Sequence, residues 1–302
     1  MTVHSARQRL AAADDDRLSR LGFAEDDRAD LLDTIARVTA DPDRLAVVEQ
    51  LADRLRGQIG VFDSDFEVFE VAGADDDHYG IGVLPMLALV ASADDVADFH
   101  RRTGIDSTIS WTSLSDLGQQ AWVHRRTYGA FGLHTYGWLR IAWSGALYWL
   151  GRLQFNLTHY QPPGADRQWV VSTHIPESGP LTPDSVADSF RQARTFFADH
   201  FPDHSTTLFH CHSWLLDPQL TEVLPAESNM ARFQRLWDLQ GEGREADGDA
   251  IFFVFRRRGE VDHADLPQQT TLQRAIVNRI SAGGHWYAHA GVIGQDQVGQ
   301  AG

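Results

Sequence analysis

An alternating stretch and a second strand-like run, joined by a turn, constrain this chain more than any other feature. In LYWLGRLQFNLTHY (147–160), Leu153, Phe155 and Leu157 alternate with Gln154, Asn156 and Thr158. A period of two is the mark of a strand with one apolar and one polar face, so this run predicts a half-buried strand. QPPGADR (161–167) then supplies turn residues, and RQWVVSTHIP (167–176) reads as a second strand. A connection this short joins antiparallel strands, because a parallel pair needs a longer crossover. Thr182-Pro183 follows as an N-cap with proline at the first helical position, where its missing N–H costs nothing. In the helix after it, Val186, Phe190, Ala193, Phe196 and Phe197 fall at helical spacing. TTLFHCHSWLL (206–216) predicts a third strand, PQLTEVLP a short helical piece and ESNMARFQRLWDL (227–239) a helix. AIFFVFR (250–256) reads as a fourth strand and GHWYAHAGVIG (284–294) as a last one.

The first half has a different grammar. RLAVVEQLADRLRGQIG after Asp41-Pro42, the run from Tyr79 to Thr103, and Ser113 to Arg126 all carry apolar residues at helical spacing. The expected class is therefore mixed α/β (α+β): a helical N-terminal domain over 1–138, then a mixed sheet flanked by helices over 139–302. The chain has 302 residues and a formal net charge of −16. That charge argues against nucleic acid or an anionic membrane surface as partner and suits a cationic small molecule. One cysteine, Cys211, excludes a disulfide within the chain. No apolar run is long enough to span a bilayer, and the N-terminus has no secretory pattern, so a cytoplasmic location is expected. All 26 basic residues are arginine, which excludes Schiff-base chemistry on lysine.

HIPESGPLTP (174–183) ends a strand and opens a helix. Helix N-termini present unpaired N–H groups and a positive dipole end, so the turn could hold a phosphate-bearing cofactor. Pro180 and Pro183 donate nothing and Asp184 already supplies negative charge, so the turn could equally be a plain connection.

Residues 147–293 resemble the GNAT-like C-terminal domain of a bacterial two-domain acyltransferase family whose N-terminal half is helical. The matching stretches are HIPESGPLTP, FHCHSWLLDPQL (209–220), LPAESNMARFQRLWDL (224–239) and TTLQRAIVNRISAGGH (270–285). The resemblance implies an acyl-CoA-dependent N-acyltransferase, with acyl-CoA as co-substrate and a small-molecule amine as acceptor. It implies that Thr173 and Ile175 offer backbone to the pantetheine arm. Ser178, Gly179, Leu181 and Thr182 would take the diphosphate, and Asn229 would contact the cofactor arm. Two departures stand out. Only Gly179 matches the glycines of the family's Arg/Gln-x-x-Gly-x-Gly/Ala loop, and the helix of Asn229 carries no tyrosine to act as general acid. These departures motivate an alternative, a non-catalytic GNAT-like module that binds a small molecule or a partner protein.

Amide formation needs a neutral amine, a polarised thioester and a proton route for the thiolate. The candidates are His174, Glu177, His210 and His212, with His210 and His212 on one face of their strand and Cys211 on the other. Cys211 as a hydrolase nucleophile is a weaker alternative. His210, Cys211 and His212, with His285 and His289, suggest a metal, but no zinc-type spacing supports one and no metal is expected.

Overall fold

The computed structural model describes residues 5–63 and 66–298. Two compact units divide the chain at Trp149/Leu150.

The first unit is helical: α1 (Ala6–Ala11), α2 (Asp15–Arg20), α3 (Glu25–Thr39), α4 (Pro42–Gly57), α5 (Val83–Arg102), α6 (Ser107–Leu114), α7 (Asp116–Tyr128) and α8 (Tyr136–Trp143). Its centre is α5, whose first three turns, Val83 to Ala93, are buried on every side. A helix apolar all round must lie inside the unit. Leu51, Leu55, Leu117, Leu139 and Trp143 belong to the same core. The sequence's change of grammar falls near Gly137, but α8 runs on to Trp143 and contributes Leu139, Ala142 and Trp143 to the helical core.

The remaining elements are β1 (Leu147–Leu150), in which the division falls, β2 (Leu153–Tyr160), β3 (Gln168–His174), α9 (Pro183–His200), β4 (Leu208–Ser213), α10 (Leu220–Val223), α11 (Asn229–Gln234), β5 (Asp238–Glu245), α12 (Asp247–Phe255), α13 (Thr271–Ser281) and β6 (Tyr287–Gly294). The strands form one sheet of order β1-β2-β3-β4-β6-β5. β2 and β3 pair antiparallel from Gln154↔His174 to Tyr160↔Gln168, as their short connection requires. The α9 crossover makes β4 parallel to β3, and that pairing holds only at Val171↔Phe209 and Ser172↔His210. Past Ser172, β3 continues through Thr173 and His174 with no registered partner on β4. β4 in turn pairs antiparallel with β6 along its whole length.

Two expectations fail here. Residues 250–256 do not form a strand; they lie in α12, which ends at Phe255, and Arg256 caps it in the left-handed region. A short continuous apolar run cannot distinguish a buried strand from a helix. Here Asp247 and Asp249 in the first turn favour the helix, which buries Ala250, Ile251 and Phe252 and leaves Phe253 exposed. The helix expected over 227–239 stops at Gln234, and Asp238 opens β5. β5 is an exposed edge strand, DLQGEGRE, with no apolar alternation to announce it.

Candidate active site

The register assigns each side chain of β2, β3 and β4 to a face. Phe155 lies opposite Thr173, and Leu157 lies opposite Val171, which in turn lies beside Phe209. This face is apolar: Phe155, Phe190 of α9, Phe209 and Trp237 form an aromatic cluster with ring centroids 4.7 to 5.8 Å apart. Thr173 is the polar exception, buried with no hydrogen-bond partner for Oγ1 among the described residues. Cys211 projects onto the same face and is also buried. Desolvation pushes its thiol up to about 12, so it stays protonated at neutral pH and cannot serve as a thiolate nucleophile.

The opposite face gathers Gln154, Asn156, Ser172, His174, His210 and His212. The strand expected to be half-buried is buried on both faces, since Gln154 and Asn156 are 2% and 5% exposed. Buried polar groups need partners; Asn156, Ser172, His174 and His210 have them, whereas Gln154 Nε2 has none among the described residues. Asn156 Nδ2 donates to Leu157 O at 3.0 Å, which orients the amide so that Oδ1 accepts from His174 Nε2 at 2.6 Å. With Nε2 donating, the neutral ring carries its proton on Nε2. Ser172 Oγ lies 3.2 Å from His210 Nδ1. Tyr160 stacks over His210, with ring centroids 4.3 Å apart and planes 31° from parallel.

Burial keeps these imidazoles neutral. Desolvation, reinforced by His210, takes His174 down to about 3; desolvation, reinforced by His212, takes His210 to about 4. His212 is exposed and also lowered, by desolvation first and then by Arg244. Tyr160 is raised by desolvation and holds its phenolic proton. Sequence reasoning missed Asn156, Ser172 and Tyr160. The alternation placed the first on the polar face, but only the register sets Ser172 beside His210, and only the packed rings bring Tyr160 over it.

The other sequence candidates lie at the end of β3 and beyond it. Ile175 follows the strand directly. Glu177 is exposed and its carboxylate is ion-paired with Arg256. Ser178 does not present its N–H outward, because that group donates to Pro176 O at 2.9 Å. Gly179 has φ +128°, a conformation that favours glycine, in open space. Leu181 is buried. Thr182 caps α9 through its side chain, and Pro183 occupies the first helical position as expected. Asn229 opens α11 behind its cap Ser228.

His289, whose strand position faces Ser213, projects to the side opposite His210 and His212. His285 bonds Asp247 at 2.8 Å instead of joining them. Glu245, Asp247 and His285 bring three ligand-type atoms within 4.8 Å of one another at the surface. Asp247 is already engaged there by Trp286 N and His285.

This mixed sheet, whose one parallel pair is registered at only two positions and is joined by a helix that Thr182 caps, has the GNAT-like fold. Residues 147–293 match the GNAT-like C-terminal domain and residues 13–145 the N-acyltransferase N-terminal domain. The chain belongs to the acyltransferase family that combines these two domains. A solved acyltransferase in complex with decanoyl-CoA is 33% identical, with a TM-score of 0.81 over 92% of this chain and 86% of that one. An acyltransferase in complex with decanoyl-CoA and teicoplanin is 30% identical, also with a TM-score of 0.81, over 93% and 87%. A complex with CoA and 10C-teicoplanin agrees equally well. Among curated proteins none matches the chain. Among the described residues no helix is long and apolar enough to cross a membrane.

Proposed function

We propose that this acyltransferase moves a medium-chain acyl group from CoA to an amine on a small-molecule acceptor, with His210 as the proton carrier. The observation that supports it most is the polar face of β2, β3 and β4, where Ser172, Tyr160 and His210 meet beside the point at which β3 leaves β4. The free edge of Thr173 and Ile175 would take the pantetheine arm. The turn at 176–182 would take the diphosphate and Asn229 the cofactor arm.

In this reading the neutral amine attacks the thioester carbonyl carbon. The carbon–nitrogen bond forms and the carbon–sulfur bond breaks. His210 accepts the amine proton and returns it to the departing thiolate, so the enzyme ends each cycle as it began. A low imidazole pKa keeps the acceptor form present throughout the neutral range. Tyr160 holds the ring of His210, and Asn156 holds His174 in one tautomer as the neighbouring wall. Glu177, paired with Arg256, serves the turn instead of the proton transfer.

The relatives' complexes with decanoyl-CoA and teicoplanin suggest the first donor and acceptor to test. The acidic chain, at net charge −16, suits an acceptor that arrives as a cation. A cytoplasmic location fits a CoA-dependent reaction and a single reduced cysteine. The deciding assay incubates the protein with decanoyl-CoA and either teicoplanin stripped of its acyl chain or a simple amino sugar. CoA release and the acylated amine are followed by mass spectrometry. The reading expects one amide formed per CoA released. Saturable CoA binding with no amide from any amine would favour the non-catalytic module instead.

A further inference from the structure

We infer that Arg152 is the positioning residue that shapes the diphosphate turn, holding its carbonyls from one side so that its N–H groups face the other; this rests on the turn reading just proposed. No residue from 176 to 182 is basic, yet a guanidinium lies against the turn. Arg152 Nη1 donates to Pro176 O at 2.9 Å and to Ser178 Oγ at 3.2 Å. Nε and Nη2 converge on Gly179 O at 3.0 and 2.6 Å, and Nε also reaches Pro180 O at 3.3 Å.

The consequence follows from peptide geometry. In a trans peptide the carbonyl and the next N–H point in opposite directions, and no peptide bond described here is cis. Drawing Pro176 O and Pro180 O onto the guanidinium therefore turns the N–H groups of Glu177 and Leu181 away from it. The peptide after Gly179 has no N–H to turn, because Pro180 follows. The N–H groups turned away from the guanidinium are thus those of Glu177 and Leu181; of the Ser178, Gly179, Leu181 and Thr182 set that the resemblance implies, Leu181 is among them, whereas the Ser178 N–H is spent on Pro176 O. The cation also adds positive potential beneath the site, where the family's loop would carry its own basic or amide side chain.

The arginine is itself anchored. It follows Gly151, whose φ is +67° and where an added Cβ would stand 2.7 Å from Ser189 Oγ. Arg152 N donates to that same oxygen at 2.7 Å, and Ser189 Oγ donates to Ser185 O in the first turns of α9. The β1–β2 turn is stitched to α9 by its backbone and to the diphosphate turn by its side chain. The planar fork of a guanidinium, with five donors in fixed directions, suits three carbonyls better than the compact ammonium of a lysine would.

The test measures the affinity of CoA and of pantetheine, which lacks the diphosphate, for wild type, Arg152→Met and Arg152→Lys by calorimetry. Wild type is expected to prefer CoA by at least tenfold. Arg152→Met should lose most of that preference while pantetheine affinity is unchanged, which also shows that the fold is intact. Arg152→Lys should keep part of it, since the charge remains but the fork does not. If Arg152→Met fails to fold, the lysine variant decides alone: a reduced preference supports the inference and an unchanged one overturns it. A wild type that prefers CoA beside an Arg152→Met that prefers it equally overturns the role of Arg152 while sparing the turn. A wild type with no preference overturns the turn reading and this inference with it.

Discussion

The two faces of β2, β3 and β4 are built from the same strands and differ only in the parity of their residues. On one face Phe155, Val171 and Phe209 meet Phe190 and Trp237; on the other Asn156, Ser172, His174 and His210 meet one another and Tyr160. Dispersion and water exclusion hold the first face. The second contributes less to stability, since each hydrogen bond replaces one to water. Its value is chemical: a set of neutral imidazoles whose rings are fixed by amide, hydroxyl and phenol before any ligand arrives. Consecutive residues, Phe209 and His210, therefore belong to different faces, one to the aromatic core and one to the face for which we propose chemistry.

The largest effect that would sharpen this contrast is on stability. Phe190→Ala opens a void in the aromatic cluster and should cost about 3 to 5 kcal/mol, read by urea unfolding. Turnover per folded molecule should stay close to wild type. A comparable loss from Asn156→Ala would show that the polar face carries the fold as well.

Gly179→Val comes next. A Cβ added there would meet nothing within 4 Å, but φ at +128° does not suit a branched residue. The turn must move, and with it the carbonyls that Arg152 holds. We expect CoA affinity to fall more than tenfold, the equivalent of losing one charged contact of about 1.5 to 3 kcal/mol. Ser178→Ala should change it by less than about threefold, because that N–H is spent on Pro176 O. A Gly179→Val protein with normal CoA affinity and reduced stability would mark the turn as a plain connector.

The smallest effect is on pH dependence. A base acts in its neutral form, so activity is present above its pKa and lost as pH falls through it. His210 sits near 4 instead of its ordinary 6.5. Once corrected for the fraction of neutral amine, kcat/KM should be flat from pH 5 to 8 by about twofold or better. A break near 6.5 would assign the proton to an imidazole with ordinary exposure and would remove His210 from the role.

Much of this was legible in the sequence, for stated reasons. The alternation in 153–158 and the seven-residue turn after it give β2, β3 and their antiparallel sense, while Thr182-Pro183 marks the start of α9. The strand β5 was hidden because an exposed edge has no apolar period. Residues 250–256 misled because a short apolar run is ambiguous until its neighbours compete for it. The site was only half legible. Parity places His210 and His212 together on one face and Cys211 on the other, yet nothing in the sequence brings Tyr160 over His210 or Arg152 beneath residues 176–180. Nor does a histidine beside a serine suffice: His100 Nδ1 lies 2.8 Å from Ser110 Oγ in the helical unit. There the histidine is wholly enclosed in the core, and burial alone takes it to about 4. The pair in the helical unit is packing, and partial exposure on a polar sheet face distinguishes from it the pair for which we propose a reaction.

The central claim, that chemistry belongs to one parity of these strands, is tested most directly by kcat for two neighbouring substitutions assayed with decanoyl-CoA at saturating amine. His210→Gln should lower kcat by about a hundredfold or more while the thermal midpoint stays near wild type. Phe209→Leu should lower the midpoint and leave kcat of the folded fraction within about threefold, as a volume loss in a core does. Wild-type kcat in His210→Gln would contradict the account outright.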